Sequence, residues 1–250
     1  MKKIFRMKNW ALLFLLFLMG ACQSVRLESE TYKISKSTTE LGSMGKASFN
    51  GLKHTFETKS FPVLENKIRL DVKVLPLNKK VLKVLSKSYS TTPLIKKKKD
   101  SIALPLNTAQ SIIVISVLDV TAYLEQLNAS QNEQTVTYLK NTKRAKLVNS
   151  VAIVVNDDLK HKIKQADTYY LLNSQDHKYV LALYKEGKKL ENVELFSESV
   201  LGYKLSKFCW ASTTKNKWFV ADVVPECSSC KGKTYRKIKK DKKNKSLFKM

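Results

Sequence analysis

The chain has 250 residues, 43% of them apolar and 27% charged, which is enough apolar material for one substantial core and too much for a chain disordered throughout. Its 46 basic residues, 41 lysines and five arginines, stand against 21 acids and give a formal charge of +25; arginine is the usual choice for bidentate phosphate and base recognition, so a lysine-built surface reads first as a solvated shell. Seven glycines exclude a collagen-like or Gly-rich chain, and four cysteines are too few for a disulfide-built scaffold.

The first eight residues hold Lys2, Lys3, Arg6 and Lys8 without an acid, and residues 10–19 form an unbroken apolar run. This is the layout of a secretory signal. Ten residues make a helix of about 15 Å, roughly half the hydrocarbon thickness, which disfavours a permanent span. The run closes on Leu18-Met19-Gly20-Ala21-Cys22. Here the chain resembles bacterial lipoprotein precursors, whose lipobox places a leucine, two small residues and a cysteine in succession; Met19 stands where leucine is usual and keeps its size and polarity. The resemblance implies that residues 1–21 are removed as a signal peptide. Cys22 would then become the first residue, carrying diacylglycerol on its sulfur and a palmitate-type chain on its amine. Two or three acyl chains exceed the marginal membrane binding of one. Gln23-Ser24-Val25-Arg26 follow with no acid before Glu28, whereas some surface-exposed lipoproteins carry acids directly after the cysteine, so a periplasm-facing position in the cell envelope is expected.

Cleavage removes four of the 46 basic residues and no acid, so the remaining 42 against 21 leave +21. Residues 22–60 are rich in Ser, Thr, Lys, Glu and Gly and read as a tether, with one edge strand near residues 46–58. Ile68, Leu70, Val72 and Val74 alternate with Arg69, Asp71 and Lys73 in a half-buried strand ended by Pro76. Residues 81–89 read as a second strand, and Lys96-Lys97-Lys98-Lys99-Asp100 as a solvated loop. Residues 112–118 and 151–155 are apolar runs, each closed by helix-capping residues: Asp119 after the first, Asn156, Asp157 and Asp158 after the second. Behind Asp119, Val120, Tyr123, Leu124 and Leu127 recur with helical period. Residues 133–146 predict another helix despite three threonines, and Leu159, Ile163 and Ala166 give a weaker helical stripe.

From Tyr169 onward, short aromatic and β-branched runs between turn signals predict a meander. Its strands fall near residues 169–173, 179–184, 193–196, 200–210 and 218–224, the last two forming a hairpin. Residues 231–250, with ten basic residues and one acid, are expected to be a disordered basic tail. The fold expected is α+β: a mostly antiparallel sheet with a helical insertion between about residues 119 and 166 and a C-terminal β-meander. The domain would span residues 61–230.

Three cysteines remain beside Cys22. An oxidising compartment favours joining Cys209 to Cys227 or Cys230, which would close a loop of about 20 residues, contribute roughly 3 kcal/mol and leave one thiol over. Cys227-Ser228-Ser229-Cys230 has thioredoxin spacing, but only 20 lysine-rich residues follow where such a fold needs a helix and further strands. Three thiolates with His54, His161 or His177 make the zinc alternative. No His-Glu-x-x-His pair, Gly-x-Ser-x-Gly elbow or phosphate loop occurs, and the reading requires no cofactor.

The enzymatic alternative is an envelope hydrolase or carbohydrate-active enzyme. It rests on Asp119, Asp157 and Asp158 sharing a cleft at strand ends, against a plain capping role. Tyr169, Tyr170, Tyr179, Tyr184, Trp210, Trp218 and Phe219 read either as a glycan or lipid groove or as sheet core. The leading expectation is a noncatalytic envelope lipoprotein with a binding or scaffolding role. It would be held to the membrane by Cys22, be aided at anionic envelope surfaces by the tail from Lys231, and have no nucleic-acid partner because export separates the two.

Overall fold

The computed structural model describes residues 24–35, 39–50, 53–90, 110–173, 179–195 and 200–238. In chain order these form β1 (Ser24–Leu27), β2 (Glu30–Ile34), β3 (Met44–Asn50), β4 (Lys53–Ser60), β5 (Ile68–Pro76), α1 (Lys79–Ser90) and β6 (Ser111–Val117). A helical stretch follows, α2 (Val120–Asn128), a 3-10 turn (Ser130–Asn132) and α3 (Glu133–Asn141). The remainder is β7 (Ala145–Val155), α4 (Asp157–Gln165), β8 (Thr168–Asn173), β9 (Tyr179–Lys185), β10 (Lys188–Glu194), β11 (Val200–Ser212) and β12 (Trp218–Pro225). Strand residues outnumber helical ones by more than two to one, so the fold is β-rich and mostly antiparallel sheet, with few helices. Among the described residues no helix is long and apolar enough to cross a membrane.

All the described strands belong to one sheet, ordered β1-β2-β11-β7-β6-β5-β8-β9-β10, with β12 joined to β11 and the β3-β4 hairpin joined to β7. The two longest strands carry the branching. One edge of β11 pairs with β2 through Gly202 and Tyr203, then with β12 from Ser206 to Ser212. β7 pairs with β3 through residues 145–147 and with β6 through residues 150–155.

The apolar runs of β6 and β7 lack polar alternation because both faces of these strands are buried. Ile113, Ile115, Val151, Ile153 and Val155 face the larger core, whereas Ile112, Val114 and Ala152 face a smaller one. The larger core is closed by Tyr123, Leu124 and Leu127 of α2 and by Val136 and Leu139 of α3. Val25, Leu27, Tyr32 and Ile34 of the β1-β2 hairpin, with Leu77 and Val81, close the smaller.

Polar side chains fasten the helical stretch. Asn128 donates to the Val220 carbonyl at 2.8 Å and accepts from its N–H at 3.0 Å. Asn132 does the same with Val63, both at 2.8 Å. Each amide supplies the partners that a neighbouring strand would, so buried backbone groups stay satisfied. Tyr123, fully buried, donates its hydroxyl to the Gly42 carbonyl at 2.8 Å. Gly42 has φ +77°, and a Cβ there would lie 2.9 Å from the Tyr179 ring, so both the turn and the packing require glycine.

Several expectations change. Residues 24–60 are no tether: they form four strands, with Tyr32, Met44 and Phe56 almost wholly buried. Val25 and Leu27 are buried on either side of exposed Arg26, and Phe56 is buried between exposed Thr55 and Glu57, so a composition that suggests a linker is that of strands with one wet face. The folded part accordingly includes residues from Ser24 onward and not only those from residue 61. Residues 81–89 lie in helix α1, where the Asn78 side chain accepts from the Val81 N–H at 2.9 Å as a cap. The strand expected at residues 193–196 is β10, which starts at Lys188 because Glu186 and Gly187, at φ +50° and +77°, make a two-residue turn. Residues 231–238 are attached rather than a free tail, with Tyr235 and Trp210 exchanging backbone hydrogen bonds at 2.7 and 2.8 Å. The helices after Asp119 and Asn156 flank β7 and are not one insertion. The signal segment 1–21, Cys22, the Lys96–Lys99 run and residues 239–250 lie outside the described residues.

Replacing Tyr123 with phenylalanine leaves the Gly42 carbonyl buried without its partner. Tyr123→Phe is expected to lose about 1–3 kcal/mol, read as a lower urea midpoint at unchanged slope; an unchanged midpoint would contradict the role given to this hydroxyl.

Candidate functional site

Where β7 and β11 run on beyond the doubly covered part of the sheet, they floor a cleft of about 1060 Å³. One wall is the end of α3 and the turn after it, which bring Leu139, Lys140, Lys143 and Arg144. Arg144 sits at φ +61°, a left-handed conformation uncommon for a non-glycine residue, and its carbonyl accepts from the Ala47 N–H of β3 at 3.3 Å. β7 contributes Lys146, β11 contributes Lys207, Phe208 and Trp210, and β12 contributes Trp218. The far wall is Arg236, Lys237 and Ile238, held by the Tyr235 bridge and by the Cys209–Cys230 disulfide, whose Cα atoms are 5.6 Å apart. Trp218 meets Tyr235 edge to face with ring centroids 6.0 Å apart.

Seven lining side chains are basic and one, Glu226, is acidic. The Glu226 carboxylate binds Lys33 and Lys146, the latter at 3.3 Å, and its backbone carbonyl accepts from Lys207 at 3.2 Å. Burial pushes the Glu226 carboxyl up, but the hydrogen bond and charge of Lys33, with Lys146 behind it, outweigh that and hold it below its usual value. Burial pulls the Lys146 ammonium below its ordinary value, partly offset by Glu226. Among the described residues, Lys140, Lys143, Arg144, Arg236 and Lys237 have no ion-pair partner. The result is unpaired positive charge at the rim of a partly aromatic floor. Such an arrangement can hold an anion and cover an apolar or ring-shaped body beside it. Among the described residues lining it, the one carboxylate, that of Glu226, is engaged by two lysines.

The residues singled out from the sequence are distributed differently. Cys209 is bonded to Cys230, and Cys227 is free and exposed, so Cys227 and Cys230 do not form a redox pair and three thiolates are not available to zinc. His161 is exposed on α4, His54 lies in β4, and His177 falls outside the described residues. Among the described residues no three His, Cys, Asp or Glu side chains gather as a metal site. Asp119 accepts from the Ala122 N–H at 2.9 Å and caps α2. Asp157 is exposed beside Lys160 at 3.3 Å, Asp158 faces Lys162 at 3.9 Å, and the cap of α4 is Asn156. β6 and β7 are antiparallel, with Ser116 opposite Ser150 and Ser111 opposite Val155. Asp119 and Asp157 thus leave opposite ends of the strand pair and share no cleft; the strand-end argument holds for parallel strands.

The aromatic set also divides. Tyr179 is core, Tyr169 donates to the Ile163 and Ala166 carbonyls of α4 and its C-cap, and Tyr170 and Tyr184 stack edge to face beneath Lys67. Of the set, Trp210 and Trp218 line the cleft. The basic residues of the cleft went unnoticed in the sequence because they are scattered from Lys140 to Lys237 among 41 lysines; the signal present was that two of only five arginines, Arg144 and Arg236, converge here. No protein-family model, curated protein or solved structure matches the chain.

Two outcomes follow from this geometry. Because the folded-state pKa of Glu226 lies below its unfolded value, its contribution is complete above the unfolded value and fades as pH falls through the folded one. The stability gap between the parent and Glu226→Gln is thus expected to be widest at neutral pH and to narrow in acid; a gap that does not vary with pH would exclude the ionic role. Replacing Cys209 and Cys230 together with serine opens a link spanning 21 positions, with an expected loss of about 3 kcal/mol and release of the segment carrying Arg236 to trypsin. Nonreducing peptide maps should show Cys227 alone alkylated among these three.

Proposed function

We propose that this chain is a cell-envelope lipoprotein, anchored by an acylated Cys22, whose folded part is a noncatalytic module that binds an anionic ligand in the basic cleft. The observation that carries the binding role is the excess of seven basic side chains over one acid around Phe208, Trp210 and Trp218. The hydrolase alternative loses its support, since Asp119 and Asp157 are separated and spent on capping and a surface ion pair. The anchoring rests on the charged, apolar and lipobox segments in succession at residues 2–22. The periplasm-facing position rests on the absence of acids directly after Cys22. The basic residues from Lys231 onward add long-range attraction to anionic surfaces, each by about 1 kcal/mol at low screening.

Cys22→Ser is expected to abolish acylation, leaving the precursor unprocessed or releasing the protein from membranes. The measurement is intact mass together with fractionation of envelopes. An unchanged mass and unchanged membrane retention would refute the anchor and leave the cleft to be judged separately.

A further inference from the structure

The point where the anchor would leave the domain and the basic cleft share one pole of the molecule. β1 begins at Ser24, two residues after Cys22, a reach of at most about 7 Å even when extended. Ser24 is the register partner of Lys33 on β2, and the Lys33 ammonium binds the carboxylate of Glu226 inside the cleft. One strand spacing and one lysine side chain therefore separate Ser24 from the cleft. Had residues 22–60 been a tether, the domain could sample any orientation. With the strand starting at Ser24, an acylated Cys22 holds this pole against the bilayer.

The rim chemistry matches what a bilayer surface presents there. Lys140, Lys143, Arg144, Arg236 and Lys237 carry charge without an ion-pair partner among the described residues, and Lys143, Arg144, Arg236 and Lys237 are exposed. Behind them lie the half-buried Trp218 and Ile238, where the glycerol and first acyl carbons of a lipid would find cover. We infer that the cleft binds the phosphate headgroup of an anionic lipid in the very membrane that holds Cys22, so that the domain lies on the bilayer with its cleft face down. This rests on the anchored, anion-binding reading above and names its ligand. An acidic polypeptide or a nucleic acid would satisfy the charge, but neither explains why the cleft adjoins the anchor point.

The test uses the natively processed protein reconstituted into nanodiscs. After removal of residues 1–21 the chain has two tryptophans, Trp210 and Trp218, both in the cleft, so their fluorescence reports on it directly. Phosphatidylglycerol brominated near the headgroup is expected to quench this fluorescence strongly, while identically brominated phosphatidylcholine does so weakly. Lys143→Glu combined with Arg236→Glu should weaken the phosphatidylglycerol response about tenfold and lessen its dependence on salt. Lys188→Glu combined with Lys189→Glu, the same charge change on the far strand β10, should leave it intact; equal thermal unfolding of both variants and the parent excludes misfolding as the cause. Equal quenching by the two lipids would overturn the inference. So would the absence of lipid quenching together with a fluorescence response to soluble glycerol phosphate, an oligonucleotide or polyglutamate, an outcome that keeps the anion-binding reading. No response to any anion would remove both.

Discussion

The central strands β6, β7 and β11 are apolar on both faces, and the rest of the molecule is arranged to keep water from each. One face is taken by helices α2 and α3, whose Tyr123, Leu127 and Leu139 complete the larger core. Among the described residues the other is covered by the β1-β2 hairpin together with Leu77 and Val81. That cover is why the polar N-terminal residues are drawn into the fold: at roughly 25 cal/mol for each Å² of apolar surface removed from water, Val25, Leu27, Tyr32 and Ile34 return more by packing than the same segment would gain as a solvated linker. At its margin Ser116 donates to Ser150 at 2.7 Å, and Ser150 meets the Tyr32 hydroxyl, which donates to Glu30 at 3.2 Å. Burial pushes the Tyr32 phenol up to about 12, so the chain of hydroxyls keeps its protons across the physiological range.

The cleft is a consequence of the same arrangement. β7 and β11 are long enough to be covered in one half and to bind short partners, β3-β4 and β12, in the other, and the cleft opens where these second pairings end. Its electrostatics divide in two. Glu226 gathers Lys33, Lys146 and Lys207 into a structural knot that fixes the floor. The rim cations, Lys140, Lys143, Arg144, Arg236 and Lys237, take no part in that knot and have no ion-pair partner among the described residues. Net charge spread over a lysine-rich surface keeps a protein soluble; cations unpaired over an apolar concavity concentrate a field.

Much of the fold was legible. The run of Ile112 to Leu118, the helix behind Asp119 and the final hairpin all declare themselves by period and by capping chemistry. What was illegible has physical reasons. In residues 24–60 the strands are short and half wet, so composition masks a period of two that only a long-range partner rewards. In residues 79–90 β-branched valines point to a strand, whereas the Asn78 cap points to the helix that forms. The cleft was hidden because its walls come from three distant stretches of chain, and charge becomes a site only once folding brings those stretches together. The disulfide was foreseeable as a pairing of Cys209 with the end of the chain, but the choice of Cys230 over Cys227 depends on the path of the segment that carries Tyr235.

The pairing of β2 with β11 also governs the order in which the chain can fold. Ile34 lies opposite Gly202 and Lys33 opposite Tyr203, so the earliest strands find their neighbour only when nearly the whole sequence is present. Closing so large a loop must precede any gain from the contacts it permits, and sheets of such long-range pairing fold slowly. An emerging chain thus keeps its first hairpin without a sheet partner, and the smaller core cannot close until β11 brings Leu201 to it. The strands that emerge last settle those that emerged first, so a polypeptide ending before β11 leaves its N-terminal hairpin with no sheet to join.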